Sequence, residues 1–431
     1  MTAQRIPFPV VDEISRHTRS ASEPENVHVE LHLPGRMDPK RLSKAVREAL
    51  RRHPRVLVRQ APGRWWHRAY EWELTEEPDV DPVSWPGGSL EEARRRAIGS
   101  IPPLHLSPPV RIEAVEPNAA EGGGTVLVAC VNHTALDGPA FLRVLATAAE
   151  LYGGVDNAPM RPPPVREANE VSEEPPPPPA RSSWARPARV AAVRAAAGAP
   201  AGRGNGMAVL DLPVPTRPKG APYTVNDQLL VATFLTVVRW NREHGARVDP
   251  VRITMPVDDR PRTEDMPIGN GTRLVEVTFG DEERDPENTA RLLRATAART
   301  KALKGRPRAQ LGLSGSLLTT PVLPVGVRAL STRALRVAAS PWASTTLLSN
   351  LGRIPYPMDF GDAGRATAVW VSAPARMPRG LAVTTTSTGG RLQLVLRWSR
   401  ARLDDSAGEL LGEIFTESLH TTARTTPEAA S

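Results

Sequence analysis

The sequence predicts a two-lobed α/β protein, and three features of its 431 residues carry that prediction. Apolar runs of strand length alternate with amphipathic helical patterns in both halves of the chain. A proline-crowded stretch separates the halves and includes an unbroken run from Pro175 to Pro179. The chain is also long enough for two domains that each bury a core of their own. The expected division is a first lobe over 1–155, a connection over 156–206 and a second lobe over 207–431.

In the first lobe a short helix is expected near Val11–Arg16. Strict alternation in VHVELHL, Val27–Leu33, reads as a half-exposed strand. After Pro34-Gly35, Asp38 and Pro39 introduce a helix with Leu42, Ala45, Val46, Ala49 and Leu50 on one face, ending near His53-Pro54. Val56–Arg59 and the aromatic Trp65–Leu74 read as strands, and Leu90–Ile98 as a short charged helix. Pro109–Val115 and Thr125–Val131 flank the Gly122-Gly123-Gly124 turn and are expected to pair. Pro139 opens a helix to Leu151, since its missing N–H would have no partner in a first turn.

The connection from Pro159 to Pro179 cannot pack as a regular element. Ser183–Ala197 has a helical pattern, and Gly198–Gly206 reads as flexible. The second lobe opens with a strand near Met207–Leu212 and a helix capped by Thr224 or Asn226. Strands follow at Arg252–Pro256 and Arg273–Phe279, then an amphipathic helix over Pro286–Lys304 and broken helical stretches over Gly305–Ala339. Thr345–Ser349 and Ala366–Ser372 read as strands, Leu381–Thr386 and Leu392–Ser399 as a hairpin about Gly389-Gly390, and Asp404–Ala423 as a last helix.

Composition narrows the function. The formal charge is +8, yet aromatics are few and no Arg/Lys block alternates with them, so nucleic acid is not expected as a partner. The arginines are scattered through helices beside Glu and Ala, as a GC-rich genome that inflates Arg, Ala and Pro would produce; the second reading of the charge is attraction for an anionic partner such as coenzyme A or an acidic carrier protein. No apolar run reaches about 18 residues, so no membrane span is expected. The opening MTAQRIPFPVVDE lacks a secretory pattern, and the lone Cys130 cannot form an internal disulfide; both point to the cytoplasm. The nine histidines show no ligand-spaced pairing with Cys or carboxylates, so no metal is expected.

The chemistry concentrates in NHTALDG, Asn132 to Gly138, on the connection between the Thr125–Val131 strand and its following helix. His133 is the candidate base, because imidazole takes a proton near neutral pH and strand-to-helix loops are where α/β sites sit. Asp137, just before the helix, can cap backbone N–H groups or pair with an arginine. It reads as an organiser of the loop.

HxxxDG in this setting resembles the motif of the chloramphenicol acetyltransferase-like superfamily, which includes condensation domains, plant BAHD acyltransferases and polyketide-associated acyltransferases. The resemblance extends along the chain: the strand, turn, helix and RHP of Val27 to Pro54, LHLSPPVRI at Leu104–Ile112, then TVNDQLL, PVDDRPR, IGNGTRL and LLSNLGR in order. It implies two chloramphenicol acetyltransferase-like lobes of α+β sandwich type, meeting as a V-shaped pseudo-dimer around a central tunnel. His133 would take the proton from an acceptor alcohol or amine as it attacks a thioester of coenzyme A or of a phosphopantetheinyl carrier. No tightly bound cofactor is implied, and no GxSxG-type nucleophile is present. The protein would act as a monomer on a small-molecule acceptor, in bacterial natural-product biosynthesis.

The family's first motif His is Asn132 here. Asp137 would form the family's salt bridge, with Arg260 or Arg273 as partner, and Gly138 completes the motif. Ser349 and Asn350 are candidates to face the tunnel and hold substrate or the oxyanion. DFGD, Asp359–Asp362, resembles the DFGWG of the plant enzymes without its Trp, or is a turn between strands. Two other readings are a non-catalytic protein that docks carriers or recruits an enzyme, and a cyclisation or dehydration in the same tunnel.

Overall fold

A computed structural model describes residues 4–20, 22–117, 123–160, 185–193, 202–280, 283, 288–305, 315 and 318–424. The first-half elements are β1 (Arg5–Pro7), α1 (Val10–His17), β2 (Asn26–Leu33), α2 (Pro39–Arg52), β3 (Val58–Gln60), β4 (Glu71–Leu74), β5 (Val83–Ser84), α3 (Leu90–Gly99), β6 (Val110–Val115), β7 (Thr125–Asn132) and α4 (Gly138–Gly153). The second half continues with β8 (Asn205–Pro213), α5 (Val225–Glu243), β9 (Val251–Asp258), β10 (Thr272–Phe279), α6 (Thr289–Lys304), α7 (Val325–Ala339) and β11 (Thr346–Arg353). It ends with β12 (Ala368–Ser372), β13 (Leu381–Thr388), β14 (Arg391–Ser399) and α8 (Asp405–Ala423).

The first lobe is built on a five-stranded sheet ordered β12-β2-β7-β6-β5, and β6 and β7 pair antiparallel as expected. Along β7, Leu127, Ala129 and Val131 face the main core under α2 and α4, while Val126, Val128 and Cys130 face α3. The strand is therefore buried on both sides and reads as a continuous apolar run. A three-stranded sheet, β1-β4-β3, packs beside α1, with Phe8 stacked on Trp72 at 4.1 Å. The second lobe carries a six-stranded sheet, β10-β9-β11-β13-β14-β8, cored against α5, α6 and α8.

Several expectations change. β2 is not half-exposed: its polar positions His28 and Glu30 are buried, and Arg94 of α3 pairs with Glu30 at 2.9 and 2.6 Å. A buried ion pair thus mimics the alternation of a solvent face. The Trp65–Leu74 strand shrinks to Glu71–Leu74, leaving Trp65 and Trp66 exposed. Ala366–Ser372, expected within the second lobe, instead supplies β12 to the first lobe's sheet as the antiparallel partner of β2. Of Ser183–Ala197, residues 185–193 are irregular and end in a bridge between Val193 and Leu403. The Pro175–Pro179 run lies outside the described residues.

Two features fix the lobes to each other. Arg397 of β14 is fully buried with no carboxylate partner among the described residues, donating to Asn205 Oδ1 at 2.7 Å and to the carbonyls of Asn26, Pro24 and Ile98 at 3.1–3.4 Å. Burial pushes its guanidinium down to about 10. Across the junction, the β9–β10 connection reaches into the first lobe, where Met266 joins the main core.

Candidate active site

The motif loop is set by β7 and α4. β7 ends at Asn132, whose register partner on β2 is Asn26. Helix α4 starts at Gly138 because Asp137 caps it, accepting from Ala140 N at 3.0 Å, with Pro139 in the first turn. Apart from its last turn the helix is almost wholly buried, and each large apolar side chain it hides stabilises by about 1.5–3 kcal/mol. The loop between strand and helix is thereby held from both ends.

His133 is half-buried in that loop. Its amide donates to Glu25 O at 3.1 Å, and Nδ1 lies 3.3 Å from Leu136 O. A carbonyl only accepts, so this contact requires the proton on Nδ1 and leaves the Nε2 lone pair as the ring's acceptor. Nε2 has no hydrogen-bond partner among the described residues.

Asp137 does not touch His133. Its carboxylate accepts from Arg260 Nη2 at 2.9 and 2.8 Å, from Gly271 N at 2.8 Å and from Ala140 N. Of the two candidate arginines, Arg260 is the one the fold brings to Asp137. Arg273 pairs instead with Asp259 and donates to Lys304 O, because it begins β10 on the far side of the connection. Burial opposes the charge of Arg260, but its hydrogen bonds to the Asp258 and Asp137 carboxylates, with their negative charge, outweigh it and raise its guanidinium above the usual range.

The β9–β10 connection latches this loop. Asn270 Nδ2 donates to His133 O at 3.1 Å, Thr134 O at 3.0 Å and Asp12 Oδ1 at 2.9 Å. Gly271 has no alternative: a Cβ there would lie 2.2 Å from Arg260 Nε. Burial raises Asp12 against the pull of Arg55, which pairs with it at 2.9 Å. Ser15 Oγ meets Thr134 Oγ1 at 3.0 Å, so α1 supports the loop from a third side. Asn270, Gly271, Asp12 and Ser15 were not singled out from sequence; IGNGTRL was the signal, read only as part of a pattern.

Asn132 is fully buried. Its Nδ2 donates to Pro102 O at 2.8 Å and its Oδ1 accepts from Thr134 N at 3.1 Å. Asn350 sits at a register shift in β11, with Oδ1 accepting from Gly352 N at 2.9 Å and Thr385 Oγ1 at 3.0 Å, and Nδ2 3.3 Å from Asn226 Oδ1. None of these bonds reaches His133. Ser349, one residue before, pairs in register with Thr384 and is half-buried. The strand does abut the motif, since a Cβ on Gly138 would lie 3.7 Å from Leu351 and 3.5 Å from Val371.

DFGD lies at the other end of α4. Asp359 exchanges hydrogen bonds with Asn157 at 3.0 and 3.3 Å, and Gly361 rests on Gly153 so closely that a Cβ on either would fall within 2.8 Å of the other's backbone. The segment is a turn that seats the helix C-terminus.

Comparison with solved structures places the fold. The chain superposes on the first condensation domain of the calcium-dependent antibiotic synthetase with a TM-score of 0.65 and 17% identity, covering 98% of this chain and 97% of that one. It superposes on the trichothecene 15-O-acetyltransferase of Fusarium sporotrichioides at 0.61 and 12%, covering 97% and 95%. A starter condensation domain of rhizomide synthetase, solved with C8-CoA and Leu-SNAC, gives 0.61 and 13% over 97% and 94%. The chain has the condensation-domain fold of two chloramphenicol acetyltransferase-like lobes. Two uncharacterized proteins of Mycobacterium tuberculosis, from strains CDC 1551 and H37Rv, are each 29% identical over 412 residues, 90% of this chain and 92% of theirs. No family model matches the chain.

Proposed function

We propose that the protein transfers an acyl group from a coenzyme A or carrier-protein thioester to an alcohol or amine, with His133 as general base. The observation that carries this reading is the hydrogen bond from Nδ1 to Leu136 O, which leaves Nε2 without a partner among the described residues. The acceptor O–H or N–H attacks the thioester carbonyl while Nε2 takes its proton. The C–S bond then breaks as Nε2 returns that proton to the departing sulfur, leaving free thiol and an ester or amide. No covalent enzyme intermediate is required. Asp137 and Arg260 have no proton to move in this scheme; they hold the loop.

Several supports are chemical rather than geometric. The rhizomide synthetase domain was solved with an acyl-CoA, which makes acyl-CoA a reasonable first donor to assay. Both side-chain polar atoms of Asn132 are hydrogen-bonded in its buried surroundings, so replacing the first histidine with it costs no unpaired amide. Ser349 and Asn350, where β11 comes against the motif, are the proposed contacts for substrate or the oxyanion; the Asn350 amide has one acceptor among the described residues, which leaves its second hydrogen for such a bond. We place the protein in the cytoplasm as a monomer, with the lobe boundaries near 155 and 206.

The test is thiol release from a panel of acyl-CoA donors and from loaded carrier protein, with alcohols and amines as acceptors and products identified by mass. Coupled release of thiol and ester or amide, lost in His133→Ala, supports the reading. Absence of turnover with every donor, together with stable binding of loaded carrier, would favour the non-catalytic docking protein. Thiol release without an acylated acceptor would favour cyclisation or dehydration.

A further inference from the structure

Helix α7, Val325–Ala339, is built the wrong way round for a surface helix. Its buried positions are Val325, Arg328 and Thr332. Arg328 donates to Arg68 O at 2.7 Å, Arg333 to His17 O at 2.9 Å and Arg336 to Met377 O at 2.9 Å, so its polar side chains do the anchoring. The opposite stripe, Val327, Leu330, Ala334, Val337 and Ala338 at helical spacing, faces solvent. Leu330 is 69% exposed and Val337 74%.

The stripe continues beyond the helix. Val322 and Leu323 precede it and are exposed at 74% and 50%. Gly326 N donates to Trp65 O at 2.8 Å, which brings exposed Trp65 and Trp66 against the helix start. Trp342, also exposed, follows the helix end. A contiguous apolar surface of this kind is unusual on a monomer and marks a docking face.

Charge selects the occupant. From Asn288 to Met358 the sequence carries eleven Lys and Arg and not one Asp or Glu. Arginines also border the apolar face: Arg64 lies over Trp66 at 5.0 Å and Arg186 over Trp342 at 5.2 Å. An apolar stripe flanked by tryptophans that arginines overlie fits the boundary between headgroups and acyl chains of an anionic bilayer. No described helix is long and apolar enough to cross a membrane, so the fit is to lying on the surface. We propose that this face is a membrane-interface docking surface that seats the protein on anionic lipid.

The test is flotation of the purified full chain with vesicles of phosphatidylcholine alone or mixed equally with phosphatidylglycerol, at low and high salt. The expected result is co-flotation with the anionic vesicles, weakened by salt, and at least about tenfold weaker for Leu330→Asp/Val337→Asp at unchanged thermal stability. Trp65→Ser/Trp66→Ser gives the same reading through the adjoining loop if the aspartates unfold α7. Failure of the native chain to float with anionic vesicles overturns the proposal, as does equal flotation by both variants. So does light scattering that shows a native dimer made monomeric by Leu330→Asp/Val337→Asp, which would make the face a contact between copies. Loss of binding to a loaded carrier protein in that variant, with no vesicle binding by the native chain, would assign the face to the carrier and equally overturn it.

Discussion

Replacing Asp137 with alanine removes three interactions from one buried carboxylate. The helix cap on Ala140 N is worth about 1 kcal/mol. The Gly271 amide, bonded at 2.8 Å, would lose its acceptor at a cost of about 1–3 kcal/mol. The charge-assisted contacts to Arg260 add about 1.5–3 kcal/mol, limited because Arg260 keeps Asp258 at 2.8 Å. Coupling among the three makes the sum less than additive, and the expected loss is about 4 kcal/mol. For a unit the size of one lobe that lowers the first thermal transition by at least about 8 °C. His133→Ala deletes only a contact of 3.3 Å to Leu136 O on a half-buried side chain, so its transition should move by less than about 2 °C. Scanning calorimetry beside turnover separates the roles. If Asp137→Ala melted like the native protein while losing turnover as fully as His133→Ala, the division between chemistry and shape would be refuted.

Three further outcomes follow from the same coordinates. Gly138 has an ordinary φ and a Cβ there would meet neighbours no closer than 3.5 Å, so Gly138→Ala should stay within about 1 kcal/mol of native by denaturant titration; a large loss would mean the helix start is tighter than its contacts indicate. Arg397→Met keeps volume but orphans the carbonyls of Pro24, Asn26 and Ile98, and should cost about 2–4 kcal/mol by the same titration, with no loss arguing that the arginine's own desolvation cancels its bonds. His53 is pushed down to about 4, chiefly by burial and then by Arg143 and Arg52. A histidine kept neutral in the fold contributes stability above 6.5 that is lost as pH falls toward about 4, so the native chain should lose about 1–3 kcal/mol relative to His53→Gln over that window. Parallel stability–pH curves for the two proteins would remove His53 from the account.

The strands and helices near the site were legible because their burial follows local period. Thr125 to Tyr152 declares a buried strand, a capping aspartate and a helix within one window, and the structure keeps all three. What was not legible depends on partners distant in sequence. His28 and Glu30 look solvent-facing until Arg94 of α3 arrives to pair with Glu30, which also faces His28 at 3.5 Å. β12 has nothing in its five residues to say that its sheet lies across the junction beside β2. Arg260 and Arg273 are equivalent as sequence; only the turn after β9 decides which guanidinium reaches Asp137. Asn270 and Gly271 escaped notice because their jobs are to bind main chain and to lack a side chain, which no residue-type argument finds without coordinates.

The central claim is that Nε2 of His133 accepts the acceptor's proton during acyl transfer. Its most direct test is the rate of product formation by native protein and by His133→Ala, on a donor and acceptor identified in the thioester panel, with melting measured in parallel. Loss of the base should slow turnover by about 10²–10⁴-fold while the melting temperature stays in place. Turnover by His133→Ala within a few-fold of native, at equal stability, would contradict the account.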